Sequence, residues 1–146
     1  MQKLYLDFET YYDVHFSLTK MTTAQYVNHK DFSVWGVGIK IEDGETQWIP
    51  GDECFDVLHS IDWDETAVIC HNTLFDAYIL TQHYGVTPKY YYDTAAMSRG
   101  IYPNESASLK AVAKRVFPDN NKMRKGEELV TAKGIKDLPP DVEQSI

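Results

Sequence analysis

Short β-prone apolar runs separated by turn residues open this chain, and farther along such runs alternate with patterns of helical period. Leu4-Tyr5-Leu6 begins a first strand that reaches Thr10, and Ser33 to Ile41 reads as a second. Asp43-Gly44 is a hairpin signal, Thr46 to Ile49 returns as a third strand, and Pro50-Gly51 ends it. A short helical stretch holding Phe55, Val57, Leu58 and Ile61 follows. Ala67-Val68-Ile69-Cys70 suits a buried strand and runs straight into a helical pattern from Leu74 to Leu80, with Gly85 as its cap. Tyr90-Tyr91-Tyr92 predicts another strand, with Asp93-Thr94 offering the N-cap of a helix over Ala95 to Arg99 that Gly100 should stop. The last helix is the clearest: Ser108 caps it, Leu109, Val112, Ala113 and Val116 repeat at helical spacing, and Pro118 terminates it.

Strands in an antiparallel three-stranded meander, followed by strands alternating with helices, predict an α/β fold: a mixed sheet with added parallel strands and flanking helices, the first strand at its centre. At 146 residues with 43% hydrophobic content the chain has the size of a single domain, 1–146. Cys54 and Cys70 are isolated and imply neither a disulfide framework nor a structural zinc. No apolar stretch approaches the ~18 residues of a membrane span. With no membrane partner and no export signal, a cytoplasmic setting is expected.

The net charge of −8 argues against a broad basic surface for nucleic acid. It is uneven, however: residues 1 to 109 hold six basic and sixteen acidic side chains, net −10, and residues 110 to 146 hold eight and six, net +2. The cluster Lys110, Lys114, Arg115, Lys122, Arg124 and Lys125 is either a phosphate-facing surface or a solvated helix face.

The candidate chemistry begins with Asp7 and Glu9. Residues two apart on a strand project side by side, about 7 Å between Cα atoms at ~3.3 Å per residue. Like charges buried together are costly unless neutralised, and hard cations such as Mg²⁺ or Mn²⁺ take carboxylate oxygens. The bland alternative is a solvated strand end. Asn72 and Asp76, four apart where a buried strand meets a helix, share a helix face if the helix begins near Asn72. Separately they read as an N-cap and a surface acid. Together with Asp7 and Glu9 they supply three carboxylates from two elements that would meet at one sheet edge, a set able to hold two cations ~3.5–4 Å apart.

Asp7-Phe8-Glu9-Thr10, Asn72-Thr73-Leu74-Phe75-Asp76, Tyr92-Asp93-Thr94-Ala95-Ala96-Met97 and Ser108-Leu109-Lys110-Ala111-Val112-Ala113 together, in that order, resemble the 3′–5′ proofreading exonuclease domain of phage-type family A DNA polymerases, within the DnaQ-like, ribonuclease-H-like superfamily. The resemblance spans most of the chain. It implies a ribonuclease-H-like fold and hydrolysis of terminal phosphodiesters of single-stranded DNA to 5′-mononucleotides with a two-metal Mg²⁺ or Mn²⁺ site. By it Asp7 would bridge both metals, Glu9 would bind the metal that activates water, and Asp76 would serve the other. Thr10, Asn72, Leu74 and Phe75 would hold the 3′-terminal nucleotide. The implied partners are a single-stranded DNA 3′ end and a DNA polymerase domain, in cis or in trans.

One element of that pattern is missing. These exonucleases place a fourth acid on a later helix, in Tyr-x-x-x-Asp or His-x-x-x-x-Asp, and the only His spacings of this kind, His59 to Asp64 and His71 to Asp76, lie too early. After Pro139-Pro140, Asp141 to Ile146 looks like the start of the helix that would carry it. The expectation is therefore a domain lacking its C-terminal catalytic helix, and the rival reading is a degenerate or truncated module that binds nucleic acid or a polymerase without cutting. An endonuclease on the same fold is a third. His15, His29, His59 and His83 read as surface or loop residues, Trp35 and Trp48 as packing, and Tyr11, Tyr12 and Asp13, which follow the first motif, either line a substrate groove or, as aromatics after a core strand, serve packing.

Overall fold

The computed structural model describes residues 1–120 and 132–140. Five strands, β1 (Gln2–Thr10), β2 (Val34–Ile41), β3 (Gln47–Pro50), β4 (Thr66–Cys70) and β5 (Tyr90–Asp93), form one sheet in the order β3-β2-β1-β4-β5. β1, β2 and β3 are the expected antiparallel meander, whereas β4 runs parallel to β1 and β5 parallel to β4. β1 is the central strand, as its sequence predicts.

Leu4, Leu6 and Phe8 of β1 alternate onto one side of the sheet and join Val37, Ile39, Val68 and Cys70 from the neighbouring strands in the core. Helices α1 (Thr23–Val27), α2 (Cys54–His59) and α3 (Thr73–Tyr78) cover that side with Tyr26, Val27, Cys54 and Leu58, and α3 continues into a wider turn over Ile79–His83 that adds Ile79 and Leu80. Each fully buried aliphatic chain here contributes roughly 1.5–3 kcal/mol relative to exposure. Gly85 takes a left-handed φ of +70°, which lets the Val86 amide reach back to the Leu80 carbonyl and close the helix, as expected of a glycine cap.

Four details differ from the sequence reading. α4 (Thr94–Ile101) runs through Gly100 and ends at Tyr102, because a helix tolerates one glycine near its end. The β2–β3 connection spans Glu42 to Thr46, and its left-handed residue is Glu42, not Gly44. α5 (Leu109–Val116) forms under its Ser108 cap, yet none of its residues is buried, and Val116 is 55% exposed. α5 is instead tied by Arg115, which pairs with Glu105 at 2.6 Å, donates to the Ser106 carbonyl and lies over the Tyr102 ring. α1 was not evident from apolar period, since it is five residues long; its signal is the reciprocal cap of Thr22 and Gln25. Both cysteines are free and buried. The predicted basic residues Lys122, Arg124 and Lys125 and the segment Asp141 to Ile146 lie outside the described residues. No described helix is long and apolar enough to cross a membrane.

Candidate active site

Strand alternation that sends Leu4, Leu6 and Phe8 into the core turns Asp7 and Glu9 to the opposite face, where Asp7 is exposed and Glu9 half-buried. A bulge between Glu9 and Thr10 breaks the register against β2 just past the acid pair.

β4 pairs with β1 only as far as Tyr5 opposite Ile69. Beyond that point β4 turns away into α3, and the Phe8 amide, which would otherwise lack a strand partner on that side, donates to the Asp76 carboxylate at 2.9 Å. Asp76 thus takes up the ladder where β4 leaves it, seated at the residue between Asp7 and Glu9. It is 2% exposed. Burial first, and then the charges of Asp7 and Glu9, push its carboxyl well above the usual carboxylate range, with the Phe8 amide opposing. Asp76 therefore feels both acids of β1.

The turn that launches α3 is held by a second carboxylate. Asn72 precedes the helix in the left-handed conformation, φ 72° and ψ 58°, and its side chain makes no capping bond. Its amide instead donates to Asp93 at 2.9 Å, and the same oxygen accepts from Ala95 and Ala96 at the start of α4. Burial disfavours the Asp93 charge, but the amides of Asn72, Ala96, Ala95 and Thr73 outweigh it and hold the carboxyl below its ordinary value. Asp93 is thus the cap its position predicts, serving two helix starts. His71 is bonded at both ring nitrogens, to Thr94 at 2.9 Å and to the Ala107 carbonyl at 2.7 Å.

The remaining predicted residues divide. Asn72 and Leu74 are exposed, Leu74 at 68%, and Phe75 is half-buried against the core with its ring 6.2 Å from that of Tyr26. Thr10 lies on the buried side, its hydroxyl 2.8 Å from that of Tyr26. Tyr11 and Tyr12 pack edge-on against Trp35, and His83 lies at the surface, as expected, with its ring edge-on to Phe32 and Tyr84. A groove of about 890 Å³ runs over the open face, with Asp7, Glu9, Gly38, Trp48, His71 and Leu109 among its walls. Trp48, read from sequence as packing, is one of them.

Carboxylate oxygens at Asp7, Glu9 and Asp76 are the donor chemistry that hard dications take. Among the described residues no three His, Cys, Asp or Glu side chains are gathered around a point where one ion would touch them all. The donor set fits Mg²⁺ or Mn²⁺ in kind, with Oδ1 of Asp76 taken by the Phe8 amide.

No protein-family model matches the chain, and no curated protein matches its sequence. Solved structures do match its fold. A nuclease in its apo form superposes with a TM-score of 0.62 at 16% identity, over 97% of this chain and 63% of that one. Brucella melitensis NrnC bound to pGG gives 0.60 at 16% identity over the same shares. Trypanosoma brucei RNase D in complex with RNA U12 gives 0.60 at 16% identity, over 97% of this chain and 52% of that one. The α/β mixed sheet is therefore a fold this chain has in common with nucleases, and the chain spans less than two thirds of their length.

Proposed function

We propose that this chain is a metal-dependent 3′–5′ exonuclease module of the proofreading type, acting on single-stranded nucleic acid and on DNA in particular. The observation that carries the reading is the seat of Asp76 on the Phe8 amide, at the residue between Asp7 and Glu9, which themselves line the open groove. Nucleases of the same fold, one of them bound to RNA and one to pGG, support it.

In this reading Asp7, Glu9 and Asp76 would hold Mg²⁺ or Mn²⁺, which when bound neutralises phosphate charge and lowers the pKa of a bound water. The protein's own part is positional. β1 fixes Asp7 and Glu9 side by side, and the Phe8 amide fixes Asp76 behind them. Asn72, Leu74 and Phe75 at the start of α3 offer an amide and apolar surface to the terminal nucleotide. A polymerase domain, in cis or in trans, is the proposed source of that terminus. Because no three described metal-capable side chains converge, a second reading stands beside the first: a module that binds nucleic acid without cutting it.

A single-stranded oligonucleotide labelled at its 5′ end, as DNA and as RNA, with Mn²⁺ added, separates the two. Stepwise shortening that disappears in Asp7→Ala is expected. Binding without shortening would establish the non-catalytic reading, and internal cuts in a circular substrate would make the enzyme an endonuclease.

A further inference from the structure

The groove beside Asp7 extends across the sheet toward β3. Asp7 is paired with Gly38 of β2, and Gly38 with Trp48 of β3. Cross-strand partners point to the same face, so Asp7, Gly38 and Trp48 form a row along the backbone, with the Cα atoms of Asp7 and Trp48 about 10 Å apart at ~4.8 Å per strand, and the indole leans from its end of the row over Gly36. All three line the same groove.

The two glycines of β2 are small for different reasons. At Gly36 a Cβ would stand 2.3 Å from the Trp48 ring and 2.6 Å from the Ile49 carbonyl, so glycine there lets the indole lie on the sheet. At Gly38 the nearest described atom to a Cβ is the Asp7 carbonyl oxygen at 3.9 Å, and its φ is not left-handed. Neither packing nor backbone calls for glycine at Gly38, and glycine inside a strand weakens it. Its effect is to keep the groove floor open between Asp7 and Trp48.

We infer that the space over Gly38 seats one nucleoside of a nucleic-acid strand, its base against Trp48 and its phosphate toward Asp7 and Glu9; this rests on the nuclease reading above. Walls that include Asp7, Glu9, Glu42 and Asp43 repel a free anion, so a phosphate would approach Asp7 and Glu9 only with the dications of the nuclease reading in place. An aromatic wall takes the π-face of any base, which suits a reader of strands without sequence preference.

Gly38→Val tests this, since a β-branched residue suits the strand while filling the space. Affinity for a labelled single-stranded oligonucleotide is read by fluorescence anisotropy with Ca²⁺ in place of Mn²⁺, and folding by thermal melting. The variant is expected to melt at or above the parent temperature and to bind at least about tenfold more weakly. Tryptophan emission gives a second readout: Trp35 and Trp63 are buried, at 6% and 8% exposure, so quenching by the oligonucleotide reports Trp48 and should vanish in Gly38→Val. If that variant does not melt cooperatively, Gly38→Ala decides, with a partial loss expected. Parental affinity in the folded variant overturns the inference and leaves the nuclease reading intact if Asp7→Ala still abolishes shortening. A parent chain that binds no oligonucleotide overturns both.

Discussion

The Phe8 amide donates to the Asp76 carboxylate at 2.9 Å, so the strand that presents Asp7 and Glu9 is tied through its own backbone to the helix that carries the third acid. Asp76→Asn keeps the acceptor oxygen and removes the buried charge, whereas Asp76→Ala leaves the Phe8 amide unsatisfied at about 1–3 kcal/mol. Without divalent ions, Asp76→Asn is expected to melt above the parent and Asp76→Ala below Asp76→Asn. Added Mn²⁺ should raise the melting temperature of the parent, about 2.7 kcal/mol at a hundredfold excess over Kd, and that of Asp76→Asn much less. Calorimetry with and without Mn²⁺ reads both, and equal metal stabilisation of the two proteins would remove Asp76 from the cation site.

The pH dependence follows from the direction of the Asp76 shift. Its carboxyl is held above the ordinary range by burial, Asp7 and Glu9, so the native state binds this proton more tightly than the unfolded chain. The stability it contributes is full below the ordinary value of about 3.9 and is lost as pH rises through the raised native value. Asp93, held low by its amides, acts in a separate window: its contribution is present above about 3.9 and is lost as pH falls through its depressed native value. Denaturant midpoints in EDTA from about pH 4 to pH 8 should therefore fall for the parent relative to Asp76→Asn. A difference that stays constant over that range would mean Asp76 titrates normally.

Asp93 and Asn72 make a second testable pair. Asp93→Ala uncaps the starts of α3 and α4 together, an expected loss of about 1–2 kcal/mol, while Asp93→Asn retains an acceptor and should lose less. Asn72→Gly accepts the left-handed backbone freely, but Asn72→Ala pays about 1–2 kcal/mol for it. If the Asn72 side-chain amide holds the terminal nucleotide, Asn72→Gly will melt like the parent and bind the oligonucleotide more weakly. Unchanged binding would reduce Asn72 to a backbone hinge.

Much of this was legible in the chain because strand and cap signals are local. β1, the β2–β3 hairpin, β4 running into α3, and the Asp93 and Ser108 caps each declare themselves within a few residues. The four ordered motifs fall on β1, the start of α3, the junction of β5 with α4, and α5. What the chain did not reveal depends on which residues lie across from one another. That Asp93 serves the start of α3 as well as its own helix needs the parallel pairing of Cys70 with Asp93. Trp48 reads as packing until the register sets it in a row with Gly38 and Asp7. The apolar stripe of α5 predicts burial, and only the fold shows Val116 facing outward.

Thr10 gives the last test, because the resemblance and the geometry assign it different work. The Tyr26 hydroxyl donates its proton to the Tyr11 carbonyl, so the hydrogen bond at 2.8 Å between Tyr26 and Thr10 has Thr10 as donor. A hydroxyl spent in this way, on a side chain 9% exposed, has no proton left for a nucleotide. Thr10→Val preserves the shape and removes the bond, leaving Tyr26 still bonded to Tyr11. The expected cost is about 1 kcal/mol of stability, with the rate of oligonucleotide shortening within about twofold of the parent. Thr10→Ser should restore the stability. A Thr10→Val protein that melts normally yet fails to shorten the strand would show that Thr10 turns toward the substrate in the bound state and that its partnership with Tyr26 is given up there.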